Sequence, residues 1–192
     1  MHSTTCRNAS LQVRLSIQGP RTSQLLQQSL PSFVGAQLWD ARCMTKAYIP
    51  NDFQTTQAIK KAFKMVDAEI LREAEMAMRA GGNLAHSVSL MASALSGSCA
   101  LMALFDPANM VLRVANTGDS RAVLGRWNAA EGRYVAQAMS VDQTGFNEQE
   151  VKRLREDHPG EEVVDHKTGR VFGIAIARAF GDARWKSVCK RT

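Results

Sequence analysis

"MVLRVANTGDSRAVLGRW", residues 110–127, decides how this chain folds. Two strand-like runs, MVLRVAN and RAVLGRW, flank TGDS, and glycine followed by aspartate and serine is turn chemistry. Gly118 takes positive φ at no steric cost, and Asp119 or Ser120 caps backbone amides. A link this short joins antiparallel neighbours, because a parallel crossover needs a dozen residues or more. Working outward, SCALMALFD (98–106) precedes across DPAN and RYVAQAMS (133–140) follows across NAAEG. The spacing predicts a four-stranded antiparallel meander.

Helical rhythm lies on both sides of it. Leu25, Leu26, Leu30, Phe33, Val34 and Leu38 recur at helical spacing between Thr22 and Trp39, with Pro31 expected to kink the helix or start a fresh turn. A loop then ends in a cap at Asn51 or Asp52. From Phe53 to Ala80 the stripe Ile59, Phe63, Val66, Ile70, Ala74 and Met78 predicts an amphipathic helix stopped by Gly81-Gly82. A loop or short helix is expected over 83–95. Downstream, Asn147 and Glu150 predict a capped helix with Val151 and Leu154 inward and Pro159 at its end. EEVVDHKTGRVFG reads as two short strands around the Lys167-Thr168-Gly169 turn, and IAIARAFGDARWK as a mixed apolar segment.

The net charge of +6 sits at the ends. Residues 1–39 carry Arg7, Arg14 and Arg21 without an acid, and residues 184–192 carry Arg184, Lys186, Lys190 and Arg191 without one. The body between holds 17 basic and 18 acidic residues, which argues against the basic stripe that a nucleic-acid partner requires. Cys6, Cys43, Cys99 and Cys189 contain no C-x-x-C pair, so neither a zinc knot nor a disulfide framework is indicated, and a reducing compartment fits. No apolar run approaches the roughly 20 residues of a bilayer span. The first 21 residues form a basic tail, Ser/Thr-bearing and free of acids, with the make-up of a mitochondrial transit segment, of a plain disordered tail, or of a misassigned start.

Asp119 is the one candidate metal ligand, and local sequence leaves it open between ligand and plain turn residue. Ser120 has no nearby histidine to activate it, Cys99 reads as a small core residue, and His86, His158 and His166 are too scattered for a ligand cluster.

The ordered set SGSCALMALFD, LRVANTGDSRAVLG, MSVDQTGFNEQEVKRL, HPGE and GRVFGIAIARAFGDARWK resembles the central part of a metal-dependent protein serine/threonine phosphatase of type 2C, and within that family the mitochondrial pyruvate dehydrogenase phosphatase branch. The match runs from Ala58 to Lys186; GDSRA paired with ARAFGD about sixty residues later is its most specific part. The resemblance implies an α+β fold, here a partial α-β-β-α sandwich of antiparallel sheets flanked by helices, over residues 22–192. It implies Mg2+ or Mn2+ as cofactor, Asp119 as ligand to a third, weaker ion, and Asp182 as a turn residue. Gln143 stands where most of the family has histidine.

The same resemblance exposes what is missing. Residues 3–39 contain no Asp, Glu or His, so the family's D-G-H motif is absent, as are the two metal-binding aspartates the family places beyond ARAFGDARWK. The implied partner is a phosphoprotein such as the pyruvate dehydrogenase E1 subunit, and the implied location mitochondrial, otherwise cytoplasmic. The expected activity is phosphoserine/phosphothreonine hydrolysis by family, incomplete in this chain. The alternatives are an inactive binding or regulatory module and a truncated gene product.

Overall fold

The computed structural model describes residues 11–14, 20–44, 50–80 and 84–186. In chain order these form β1 (Leu11–Arg14), α1 (Pro20–Cys43), α2 (Asp52–Arg79), α3 (Leu84–Leu95), β2 (Ala100–Asp106), β3 (Val111–Thr117), β4 (Val123–Asn128), β5 (Arg133–Ala138), α4 (Glu148–Asp157), β6 (Val164–Asp165), β7 (Arg170–Val171) and α5 (Ala183–Lys186). The fold is α+β. His86 lies in α3, but its side chain, like Cys6, Cys189 and the Gly81-Gly82 stop, falls outside what is described.

Asn51 is the cap that starts α2. Its side chain accepts from Gln54 N at 2.8 Å, and Gln54 Oε1 accepts from Asn51 N at 2.9 Å, a reciprocal capping box. Asp52 is thereby left to bind Arg113 of β3, whose Nη2 donates to it at 2.7 Å. Along α2 the buried stripe is Ile59, Ala62, Val66, Ile70 and Ala74, and Ala77 continues it. Met78, expected in that stripe, is 60% exposed, because Ala77 takes the inward place in the last turn.

α1 runs through Pro31 as one helix of 24 residues, so no fresh helix starts at the proline. Proline removes one backbone donor. Leu26, Leu30 and Val34, fully buried on either side of it, belong to the same core as the α2 stripe, and this packing holds the helix together. Thr22, also fully buried, donates to Ser93 O at 2.7 Å and so ties the start of α1 to α3.

These helices cover one face of an antiparallel sheet ordered β1-β2-β3. Ala100, Met102 and Leu104 alternate into the helix core together with Phe180, whose ring lies 5.5 Å from that of Phe63. β1 pairs with β2 from Leu11↔Leu104 to Arg14↔Leu101, a strand the sequence pattern had not shown.

The meander is antiparallel but is not one four-stranded sheet. β3 and β4 share no ladder; β4 and β5 make a separate hairpin, and β6 and β7 another two-stranded ladder. The cause is the chain beyond β5, which returns to the end of β3. Gln143 N donates to Gly118 O at 3.0 Å and Asn116 Nδ2 to Val141 O at 3.3 Å, so the place β4 was expected to take is occupied. A second small core, Leu154, Val163, Val164 and Val171, joins α4 to the β6–β7 ladder.

Candidate functional site

Strand β3 ends in the turn that carries Asp119. Gly118 has φ 102°, and a Cβ built there lies 2.2 Å from Cys99 Sγ, so only glycine fits. Asp119 itself is exposed, and its Oδ1 accepts from the Cys99 thiol at 3.4 Å. Burial pushes the Cys99 thiol up to about 11. Cys99 is 2% exposed and therefore neutral and packed, as its place in a strand suggested.

Gln143 holds the turn from the far side. Its Oε1 accepts from Gly118 N at 2.8 Å, and its Nε2 donates to Asn116 O at 3.4 Å. Its own carbonyl accepts from Ala177 N at 2.7 Å, so one residue links the turn to the segment leading into ARAFGD. Arg121 and Asp142 form an ion pair beside it. Ser98 and Phe180 exchange two backbone hydrogen bonds, at 3.0 and 2.9 Å. The two motifs GDSRA and ARAFGD thus lie on either side of Ser98-Cys99.

Asp182 occupies a left-handed conformation, φ 50°, and its carbonyl accepts from Trp185 N at 2.9 Å, opening α5. Its carboxylate packs so closely on Gly97 that a Cβ there would come within 2.1 Å of Oδ2. Burial raises its pKa, Lys186 lowers it, and Asp67 raises it further. Asp67 in turn accepts from Lys186 Nζ at 2.6 Å and from Gly181 N at 3.0 Å.

Glu150, expected as the second half of a capping box, plays a different part. Asn147 Oδ1 caps Gln149 N at 3.0 Å, while Glu150 is buried and accepts from Arg178 Nε at 2.8 Å and Arg153 Nη2 at 2.9 Å. Burial works to raise its pKa, but the hydrogen bonds from Arg178 and Arg153 outweigh it and hold the carboxyl below the usual glutamate range. The Glu150–Arg153 pair was legible as an i,i+3 spacing; Arg178 comes from 28 residues away and carried no local signal.

The remaining candidates separate. The His158 ring lies edge-on to Phe172 with centroids 5.0 Å apart, and His166 Nε2 is 3.0 Å from Arg155 Nη2. The Ser120 hydroxyl is buried and makes no hydrogen bond among the described residues.

A dinuclear Mg2+ or Mn2+ centre needs several oxygen ligands converging on one point. Among the described residues no group of three or more His, Cys, Asp or Glu is placed to hold a metal ion. Asp119, exposed and touched by a buried neutral thiol, does not fit such a centre on its own. No helix among the described residues is long and apolar enough to cross a membrane.

Comparison with known proteins gives one consistent answer. The family model for protein phosphatase 2C matches residues 4–190. The chain is 38% identical over 172 residues to the mitochondrial [pyruvate dehydrogenase [acetyl-transferring]]-phosphatase 1 of Saccharomyces cerevisiae, covering 88% of this chain and 29% of that protein. It is 39% identical over 174 residues to the protein phosphatase 2C homolog C10F6.17c of Schizosaccharomyces pombe, 88% of this chain and 38% of that protein. To the human mitochondrial [pyruvate dehydrogenase [acetyl-transferring]]-phosphatase 1 it is 36% identical over 137 residues, 70% of this chain and 24% of that protein. The matched part therefore spans well under half the length of these relatives.

Proposed function

Because this chain belongs to the protein phosphatase 2C family, we propose that it derives from a metal-dependent phosphoserine/phosphothreonine protein phosphatase and supplies the central part of that domain. The observation that carries this reading is the joining of the GDSRA turn to the ARAFGD segment across Ser98-Cys99, with Gln143 tying both. Asp119 is the residue we assign to a divalent ion, Mg2+ or Mn2+, as a weak ligand. The substrate is a phosphoprotein. The names of the yeast and human relatives support the pyruvate dehydrogenase complex, through its E1 subunit, as that substrate and the mitochondrion as the location.

The absence of a carboxylate cluster among the described residues favours a second reading for residues 1–192 taken alone, a phosphatase-like binding module. A single exposed carboxylate lacks the charge that offsets dehydration of two divalent ions. The purified chain is expected to show no Mn2+-dependent release of phosphate from a phosphothreonine peptide. Metal-dependent turnover abolished by Asp119→Ala overturns the binding-module reading and leaves the enzyme reading standing.

A further inference from the structure

Two buried side-chain polar atoms make no hydrogen bond among the described residues, Asn116 Oδ1 and Ser120 Oγ. They flank the turn that carries Asp119 and stand four residues apart in the chain. An amide oxygen can only accept and a serine hydroxyl can donate, so each is what the other lacks. A buried polar atom without a partner costs free energy, which favours any arrangement that brings the two together.

The bonding around the turn shows which part of it can move. Gly118 is fixed. Its N–H donates to Gln143 Oε1 at 2.8 Å, its carbonyl accepts from Gln143 N and from Asn116 Nδ2, each at 3.0 Å, and Cys99 leaves no room beside it for a Cβ. Ala122 is fixed as well, its carbonyl accepting from Met139 N and its N–H donating to Ser140 Oγ, both at 2.9 Å. Between these anchors the hold is slight. Asp119 is exposed, and its carboxylate meets only a weak donor, the Cys99 thiol, at 3.4 Å. Ser120 O accepts from Ser140 Oγ at 3.4 Å, the far end of hydrogen-bond range. Arg121 pairs with Asp142 from an exposed position, where solvent screens the attraction.

We propose that this turn is a two-position switch. In the second position the segment from Asp119 to Arg121 rotates between its anchors, Ser120 Oγ donates to Asn116 Oδ1, and Asp119 leaves the Cys99 thiol. Asn116 keeps its bonds to Gly118 O and Val141 O throughout, because those use its Nδ2. The Asp119 carboxylate is then free of the sheet, and whatever cation or donor takes it there selects that position. The switch belongs to the chain's own groups and stands whether or not Asp119 ligates a metal ion.

The test is 15N relaxation dispersion, which reports microsecond-to-millisecond exchange, on the full 192-residue chain without added metal ion. Exchange is expected at the amides of Asp119, Ser120 and Arg121 and at the side-chain amide of Asn116, whose oxygen gains the bond. Ser120→Ala removes the donor and should abolish that exchange, with no fall in melting temperature by circular dichroism, since the hydroxyl has no partner in the resting turn. Ser120→Thr retains a hydroxyl and should retain the exchange. Flat dispersion at these amides in the parent, exchange that survives Ser120→Ala, exchange lost in Ser120→Thr, or a Ser120→Ala chain that melts well below the parent each overturns the proposal. None of these readouts depends on phosphate hydrolysis.

Discussion

Replacing Gly118 by alanine tests the geometry of the site at its tightest point. The residue sits at φ 102°, where a β-carbon is strained whatever the space around it; that strain costs about 1–3 kcal/mol. The same β-carbon would lie 2.2 Å from Cys99 Sγ, 2.7 Å from its Cβ and 3.3 Å from its Cα. Overpacking of this kind costs a further 1–3 kcal/mol, since the neighbours are backbone and a short side chain that cannot swing away. The sum, about 2–6 kcal/mol, corresponds to a fall in Tm of about 4–24 °C for a chain of this size, read by circular dichroism. Cys99→Ala removes the nearest atom but leaves the positive φ, so in that background the cost of Gly118→Ala should shrink by about 1 kcal/mol and stay above zero. A Gly118→Ala melt within a degree of the parent, or a cost unchanged by Cys99→Ala, refutes the account of why glycine precedes Asp119.

Two further perturbations follow from the electrostatics. Glu150 is held below the usual glutamate range in the folded chain, so it contributes stability that is whole above its unfolded pKa and is lost as pH falls through the folded value. Glu150→Ala should therefore cost about 2–3 kcal/mol at neutral pH and flatten the acid limb of the stability profile in urea titrations, and an unaltered acid limb contradicts the role of Arg153 and Arg178. Cys99, with its thiol pushed up to about 11, contributes stability below the ordinary thiol value of 9.0 that is lost as pH climbs from there towards 11. At pH near 8 it should resist iodoacetamide in the native chain while exposed Cys43 is alkylated, by peptide mass mapping, and equal labelling of the two contradicts the buried, neutral assignment.

Local periodicity made most elements legible. The α2 stripe from Ile59 to Ala74, the cap at Asn51 and the strand runs around TGDS and DPAN all depend on neighbours within a few residues. What failed depended on distant chain. Pro31 was read by its local effect, whereas the burial of Leu26, Leu30 and Val34 against the rest of the core kept the helix whole. β4 was assigned to β3 because the turn between them is short, yet Gln143, 25 residues beyond Gly118, took the contact first. The same limit applied to the site: Gly118 and Asp119 could be named from the turn alone, but that Cys99 presses on the one and hydrogen-bonds the other follows only from the sheet register.

The β4–β5 hairpin carries Val123, Gly125 and Trp127 opposite Ala138, Ala136 and Tyr134 on one face, and the two aromatic rings meet at 5.2 Å. Val123, Trp127 and Tyr134 are 58%, 55% and 70% exposed, and neither strand of the hairpin has a ladder partner on its outer side among the described residues. No proline interrupts either strand, and Arg126 and Arg133 are their only charged residues. Such a ribbon invites copies of itself to stack, so crowding sets an upper bound on how much of this polypeptide stays dispersed, and added arginine or a short charged insertion at the ribbon would raise that bound without touching the helical core.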